Sequence, residues 1–555
     1  MRNSFIINKA FNYYIVASIL TAVVSQLAVA TDAVIVGQFI SPEALSAVNA
    51  ATPLTMAVNS MYLLFAMGAN VRLARLLGKH DEKGIMELFS STVSSILPVG
   101  LLISAVLLTF ATPVSEFLCG EPSISHYTVE YLLAYSVGVA PMLLYLAMNV
   151  FIETAGKPRL AAGIIIATNV FNLIFDLLFV GALGWGIAGS AWATVLSYVF
   201  GFVLVLFLGV IKMPVFKFHL LPMGTFFRNV GQNLKDGFPV ALGNICIGLL
   251  VFLLNTIILN AQGAMGMNIW SICLQVLMLS LVVINGTVGC MYAVGGVICG
   301  EEDWKGLHLF ELRVMKVLML SLTIFVVLVE INPDWLASVF GADDNMRAAG
   351  MNNALRLFFL CELPFAYVFV RQAMLQLLEY RVLASIVSVT QLLLLLGGVW
   401  LASLIDPDYV WGGFPVSMFV VLFAVYVAIF FIHRKKPNTS IVSLIPTEEE
   451  PLMLVRSVEC TQEGFTAARA EFEAFVQGHA AESSEVMKRI DALTDNLIAR
   501  TEKGKDEYCD IMISFKASEP FVKLKDTQKT FSQESLLYEA KHEMMYGQNV
   551  IMLNL

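Results

Sequence analysis

The sequence predicts an all-α membrane bundle of about twelve transmembrane helices in two six-helix repeats, followed by a small α+β cytoplasmic domain. Three observations predict it. The 555 residues are 58% hydrophobic and only 14% charged, with a mean hydropathy of +0.76, outside the range of ordinary globular chains. Apolar runs as long as the roughly 18 to 20 residues that carry a helix across hydrocarbon recur through the first ~435 residues, without the alternation of outer-membrane strands. Charge collects at the far end of the chain: residues 441–555 hold 20 acidic and 12 basic side chains, −8 of the formal −9.

Apolar length and Gly, Pro or charge breaks place helices starting near residues 11, 50, 88, 128, 159, 187, 237, 268, 308, 353, 382 and 411. Arg2 and Lys9 precede the first apolar stretch, which is long, broken by Asp32 and without a small-residue cleavage site, so it is expected to be a transmembrane helix and not a signal peptide. The expected domains are an N-terminal six-helix lobe at 1–215, a C-terminal six-helix lobe at 216–436, a linker at 437–452 and a cytoplasmic domain at 453–555.

The connections alternate in charge. RLARLLGKHDEKG, GKPRL, 212–235, 305–316, Arg381 and HRKK are basic, whereas SPEAL, GALGWG, NAQGAMG and DPDYVWGG are neutral or acidic. Basic loops stay inside, so both termini are expected in the cytoplasm of a multi-pass protein of the bacterial inner membrane. One loop dissents, with Arg347 and Arg356 on the outer side beside Asp343 and Asp344.

GKHDEKG at 78–84 and GEEDWKG at 300–306 share four of seven residues at an offset of 222, and Pro141 and Pro364 align at 223. A near-constant offset at two separate places points to two parallel repeats, as in transporters that rock one half against the other.

An ionisable side chain in hydrocarbon costs at least ~2.5 kcal/mol and marks a functional site by default. Asp32 on the first helix and Asp176 on the fifth are the clearest cases. Asn169, Asn172 and Asp176 stand at i, i+3 and i+7, on one helix face. With Thr194 of the sixth helix at similar depth, Asp32, Asn172 and Asp176 can converge in the outer part of the first lobe, an oxygen-rich set suited to a hard cation or a shared proton. The plainer alternative is hydrogen bonding that ties helices together, at about 0.6 kcal/mol per bond.

Glu362 and Arg371, nine residues apart on the tenth helix, either line a substrate vestibule or pair structurally. Glu153, Glu330 and Asp236 fall near helix ends and are expected at the interface. His80 and His308 sit in basic loops and carry no site signal, and the Met-rich stretches around Met265, Met267, Met278 and Met291 read as core packing in preference to an adaptable drug-binding wall. The eight cysteines have no C-x-x-C spacing and no nearby histidine, so no metal site is expected.

TDAVIVGQFISPEALSAV, GANVRLARLLGKHDEKG, ETAGKPRLA and NVFNLIFDLLFVGALGWGIAGSAWAT resemble first-half signatures of the multidrug and toxic compound extrusion (MATE) transporters, over about residues 5 to 435. The resemblance implies that Asp32, Asn172, Asp176 and Thr194 perform proton or sodium coupling, as the helix-one Asp, helix-five Asn and Asp, and helix-six Thr do in members with an N-lobe cation site. The alternative C-lobe site needs an acid within helix seven, and residues 237–260 have none. Ala17 stands where members often carry a proline about fifteen residues before the helix-one Asp.

Beyond HRKK, residues 465–503 read as two amphipathic helices, YCDIMISFK as a strand, YEAKHEMMYGQ as a helix and NVIMLNL as a strand. This order resembles the anti-sigma-factor type of histidine-kinase-like (GHKL) ATPase domain. The resemblance implies Asn496 at the Mg-chelating position, but FKASEPF lacks the family's Asp and Gly, and Ala492 replaces an acid. A degenerate regulatory or partner-binding module is therefore expected in place of an ATPase, with ATP and Mg as a doubtful cofactor.

The chain is expected to be no enzyme but a secondary antiporter that exports amphipathic, cationic organic compounds against H+ or Na+. Its partners are the lipid bilayer, a small organic substrate and a cytoplasmic regulatory protein at the tail, with no nucleic acid. The alternatives are a lipid-linked precursor flippase and a membrane sensor that signals through the tail.

Overall fold

The computed structural model describes residues 3–40, 42–119, 122–211, 213, 216–340, 344–448, 450–480, 482–501, 507–516, 520–528, 531 and 538–555. Arg2, Lys212, Asp343 and part of FKASEPF, which the sequence reading used, lie outside the described residues.

The first lobe contains α1 (Phe5–Phe39), α2 (Pro42–Tyr62), α3 (Gly68–Gly78), α4 (Glu82–Cys119), α5 (Pro122–Thr154), α6 (Pro158–Asp176) and α7 (Gly186–Leu204). The second contains α8 (Met223–Cys290), α9 (Gly296–Gly300), α10 (Trp304–Ile331), α11 (Pro333–Val339), α12 (Asp344–Ala348), α13 (Met351–Phe359), α14 (Glu362–Leu377), α15 (Arg381–Ile405) and α16 (Val410–Lys435). Among the described residues, eleven helical stretches are long and apolar enough to cross a membrane. The longest, Met223–Gly300, holds 78 residues, which as one rod would extend roughly 120 Å. It doubles back at Gly263 (φ +64°, ψ −155°), a backbone conformation that side chains oppose. Trp270 Nε1 donates to Asn255 Oδ1 at 2.7 Å across that turn, so the stretch makes two passes and the bundle makes twelve among the described residues.

Most boundaries match the apolar pattern to within several residues, but the seventh pass begins at Met223 and not near 237. The added turns are amphipathic: Asn229, Asn233 and Asp236 are buried against the first lobe, so a polar segment reads as loop in sequence yet continues as helix. Asp236 is thus not interfacial; it is buried and ion-paired with Arg381.

Four non-helical turns recur in pairs. His80 (φ +53°) and Glu302 (φ +59°) adopt the left-handed region 222 residues apart, and Gly156 (φ +87°) and Glu379 (φ +65°) do so 223 apart. At one end of the bundle the two lobes touch through glycine. A Cβ on Gly78 would lie 2.3 Å from the Val297 carbonyl oxygen, and one on Gly300 would lie 2.3 Å from the Arg75 carbonyl oxygen. Nearby, Arg72 donates to Asn233 Oδ1 (2.6 Å) and to Asn229 Oδ1 (3.1 Å), Asn233 donates to Thr92 (3.1 Å), and Arg75 pairs with Glu379.

That same end carries the C-terminal domain, and is called the tail side. The domain comprises β1 (Met453–Glu459), α17 (Gln462–His479), α18 (Ser483–Arg500), β2 (Tyr508–Ser514), β3 (Phe521–Asp526), β4 (Lys541–Met545) and β5 (Gln548–Asn554). The sheet order is β1-β2-β3-β5-β4, antiparallel throughout. The two amphipathic helices and the β2 strand stand where expected, but YEAKHEMMYGQ is not a helix. It supplies β4 and a hairpin turn at Tyr546 (φ +51°) and Gly547 (φ +74°), the double positive φ of a two-residue turn, because pairing with β5 overrides local helix propensity. Leu454, Phe465, Phe472, Val476, Ile490, Leu497, Ile511, Ile513, Val522, Leu524 and Ile551 form a core of its own between helices and sheet.

Candidate functional site

The predicted first, fifth and sixth passes are α1, α6 and α7, and they pack together. α1 runs as one continuous helix through Ala17 to Phe39. It begins on the tail side, where the Asn3 backbone donates to Ser457, so Asp32 lies some 40 Å along it, near the far end. α6 likewise leaves the tail side and reaches Asp176 after 19 residues, where the ladder changes to π-helical turns over Leu177–Ala182. Such π segments often sit at functional positions.

The helical spacing places Asn172 and Asp176 on the buried face of α6, at 6% and 0% exposure. Asp176 and Asp32 face each other across the α1–α6 contact, with Ser190 of α7 against the Asp176 carboxyl. Tyr131 of α5 stands close enough to interact electrostatically with both acids, and Tyr198 of α7 with Asp32. Both carboxylate oxygens of Asp176 are buried, with the Asp32 carboxyl and the Ser190 hydroxyl beside them, and Nδ2 of Asn172 and Nδ2 of Asn169 are buried without a hydrogen-bond partner. Thr194 turns its hydroxyl to the Ser190 carbonyl at 3.2 Å, one turn back on its own helix.

Two like charges in one site repel, and a buried carboxylate is costly. A proton shared by the two acids or a small cation relieves both. Two carboxylates with amide and hydroxyl oxygens form a donor set for a hard monovalent cation or a proton. Among the described residues no group of three or more His, Cys, Asp or Glu comes together, so nothing there has the make-up of a transition-metal site.

Sequence reasoning missed Ser190, Tyr198 and Tyr131. Ser190, Thr194 and Tyr198 lie at i, i+4 and i+8, so the helical period through Thr194 carries the signal for two of them; Tyr131 lies on another helix and only packing brings it near.

Glu362 and Arg371 do not act as a pair. Glu362 accepts from Ser280 at 2.6 Å, while Arg371 pairs with Glu311 and both are buried. A cavity of about 260 Å³ does lie between the lobes, but other residues line it: Leu63 and Met67 from the first lobe, and Asn244, Asn285, Tyr292, Phe369, Gln372 and Gln376 from the second. Its lining holds amides and aromatic rings and no formal charge. Tyr292 donates to Gln376 at 2.9 Å and Gln372 to Ser388 at 2.6 Å, so part of the amide wall is held rigid.

In the tail, Asn496 is buried and its Oδ1 accepts from Arg500 Nε at 2.9 Å; Arg500 also pairs with Asp526 at 2.9 Å. His80, which carried no sequence signal, stacks edge-on against Phe521 at 6.1 Å between ring centres, and burial together with Lys523 lowers its imidazole to about 3.

Twelve passes around a cleft, with two acids facing each other, Asp176 buried and Asp32 half-buried, define a multi-pass α-helical membrane protein with an ionisable site within its membrane region. The chain belongs to the MatE family, whose model matches residues 17–178 and again 239–400. It is 25% identical over 153 residues to the multidrug export protein MepA of Staphylococcus haemolyticus, covering 28% of this chain and 34% of that protein. It is 27% identical over 252 residues to the probable multidrug resistance protein NorM of Thermotoga maritima, covering 43% of this chain and 52% of that one. The chain thus spans between a third and about half of the length of these two relatives. Among solved structures, an outward-facing conformation of a multidrug resistance MATE family transporter of the MOP superfamily is similar with a TM-score of 0.70 and 20% identity, over 77% of this chain and 95% of that one. MATE in the straight conformation gives 0.69 at 20% identity, over the same shares. The two structural likenesses, each over 77% of this chain, show its fold.

Proposed function

We propose that the protein is a secondary antiporter that exports amphipathic, cationic organic compounds in exchange for H+ or Na+. The observation that carries this reading is Asp176, fully buried and facing the second acid, Asp32. Asp32 and Asp176 bind the coupling ion, and Asn169, Asn172 and Thr194 complete or orient the site, with Ser190, Tyr131 and Tyr198 around it. The cleft between the lobes holds the substrate, where Tyr292 and Phe369 offer ring faces to a cation and the amides offer hydrogen bonds. MepA and NorM relatives, named for multidrug export and resistance, support the substrate class.

The basic loops gather on the tail side, so that side is cytoplasmic in this reading, both termini with it, and the bilayer is the bacterial inner membrane. The paired left-handed turns and the two family-model matches, which start 222 residues apart, support two six-helix repeats that rock against each other. The tail is read as a degenerate GHKL-like regulatory module. Asn496 is tied to Arg500 within the domain, which favours regulation over ATP and Mg binding.

The test replaces Asp176 by Asn in a drug-sensitive host and compares efflux at equal expression. Efflux unchanged from wild type removes the coupling role. Counterflow in proteoliposomes under imposed pH or sodium gradients then identifies the ion.

A further inference from the structure

The sheet of the C-terminal domain has two faces, and only one is covered by its own helices. On the other, β3 presents Lys523 and Lys525, β5 presents Val550, and the hairpin presents Met545 and Tyr546. Val550, Met545 and Tyr546 belong to the hydrophobic core of the membrane bundle and not to that of the domain. This face sits on the seam where the repeated loops 78–84 and 300–306 meet.

The two lobes are gripped differently. On the second lobe, Glu301 is buried and takes Lys523 Nζ on one oxygen and Lys525 Nζ on the other, each at 2.6 Å. Lys516 pairs with Glu302 beside it, and the linker seats Leu444 in the core of that lobe. On the first lobe the grip is uncharged apart from the rim: apolar contacts, Tyr546 against Tyr14 and Phe521 against His80, and neutral hydrogen bonds, the Asn3 amide to Ser457 among them. The Tyr546 amide donates to the Gly156 carbonyl (2.9 Å), its hydroxyl to the Thr154 carbonyl (2.7 Å), and Gln548 to the Ile6 carbonyl (2.6 Å). The ring of Tyr13 leaves no room for a Cβ at Gly547, and Lys541 pairs with Glu82 at the rim.

We propose that the C-terminal domain is a latch: it rides on the second lobe and closes the tail side by hooking the first lobe with its hairpin. A sheet with its own core is rigid on the scale of this seam. If the lobes part at loops 78–84 and 300–306, the domain cannot hold both. It stays where the buried three-charge cluster and the covalent linker hold it, and its Tyr546 and Gln548 let go of Gly156, Thr154 and Ile6. The latched form has its cleft closed on the tail side, and each transport cycle requires its release. This rests on the antiporter reading for its transport consequence but on geometry alone for the latch.

Two full-length variants test it. In Glu82→Cys/Lys541→Cys, a cleavable bifunctional thiol reagent joins the domain to the first lobe; the seven described native cysteines are all buried and spared. Efflux is expected to fall to background on complete cross-linking and to return on cleavage; unaltered efflux by the fully cross-linked protein overturns the proposal. In the second, spin labels at Lys83→Cys and Arg228→Cys, in a Cys119→Ala background, report the separation of the lobes on the tail side. Tyr546→Phe/Gln548→Ala is expected to raise the longer-distance population at least threefold, and an unchanged distribution overturns the latch. If the unlinked protein shows no efflux at all, it is the antiporter reading that fails, and the distance measurement decides the latch alone.

Discussion

Glu301→Gln removes the counter-charge that bridges two buried or nearly buried ammonium groups, and its effect can be worked from the structure. Burial alone would raise the Glu301 carboxyl, but Lys523 and Lys525 outweigh it and hold it at about 2, against an ordinary value of 4.5. That difference corresponds to roughly 3 kcal/mol of interaction present only when the domain is docked. Removing one member of a buried ion cluster typically costs about 3–5 kcal/mol, so the two routes agree. The docked-to-released ratio should therefore fall by roughly a hundredfold. Hydrogen exchange on the purified full chain measures it, through the amides of β3 and of the Tyr546–Gly547 turn. Protection there that stays within about threefold of wild type refutes the reasoning. The pH dependence gives an internal control. A carboxyl held low in the docked state contributes fully above about 4.5 and loses its contribution as pH falls toward about 2, so wild-type docking should weaken in that window more steeply than docking of Glu301→Gln. Lys523 works from the other side: burial pulls its ammonium down to about 8, so its titration enters only above that pH, where loss of its proton relieves the burial penalty. Docking should be level between these two windows.

Asp176→Asn should abolish ion-coupled efflux without lowering thermal stability, because one of two facing acids is replaced by a neutral isostere; a melting temperature that falls together with activity contradicts the site. Gly78→Ala and Gly300→Ala should each wedge the tail-side seam, since the new Cβ would meet a backbone carbonyl of the opposite lobe at 2.3 Å. Overpacking of this kind costs about 1–3 kcal/mol and should lengthen the label distance across the seam, whereas Gly163→Ala, with open space around it, should do neither. Gly263→Ala should destabilise the hairpin between the seventh and eighth passes by about 1–3 kcal/mol from backbone strain alone, checked by thermal unfolding in detergent.

Much of the bundle was legible because crossing a bilayer is a local requirement. Each pass must satisfy its own backbone and be apolar over its own length, so hydropathy located most passes to within a few residues. The seventh pass was read late because Asn229, Asn233 and Asp236 are polar; their burial depends on Arg72, Thr92 and Arg381, far away in sequence. The strand at 541–545 was read as helix for a similar reason: its partner β5 decides it, and a five-residue segment carries too weak a propensity to resist.

The face of α6 carrying Asn172 and Asp176 follows from the 3.6-residue period, and the cost of an acid in hydrocarbon marked Asp32 and Asp176 before any fold was known. Their facing one another, with Ser190, Tyr131 and Tyr198 around them, required α1, α5, α6 and α7 to pack. The same holds for the latch. The repeat of GKHDEKG in GEEDWKG was visible as a pattern, but its use was not. That the two copies meet at Gly78 and Gly300, and that Glu301 of one copy takes two lysines from a sheet more than two hundred residues away, are consequences of which surfaces touch. The sequence by itself determined where the chain crosses the membrane and which side chains are costly there, because those energies depend on each segment alone. Only the tertiary structure decided what those side chains face and what the tail holds shut, because ion pairing and burial belong to neighbours that the order of residues does not name.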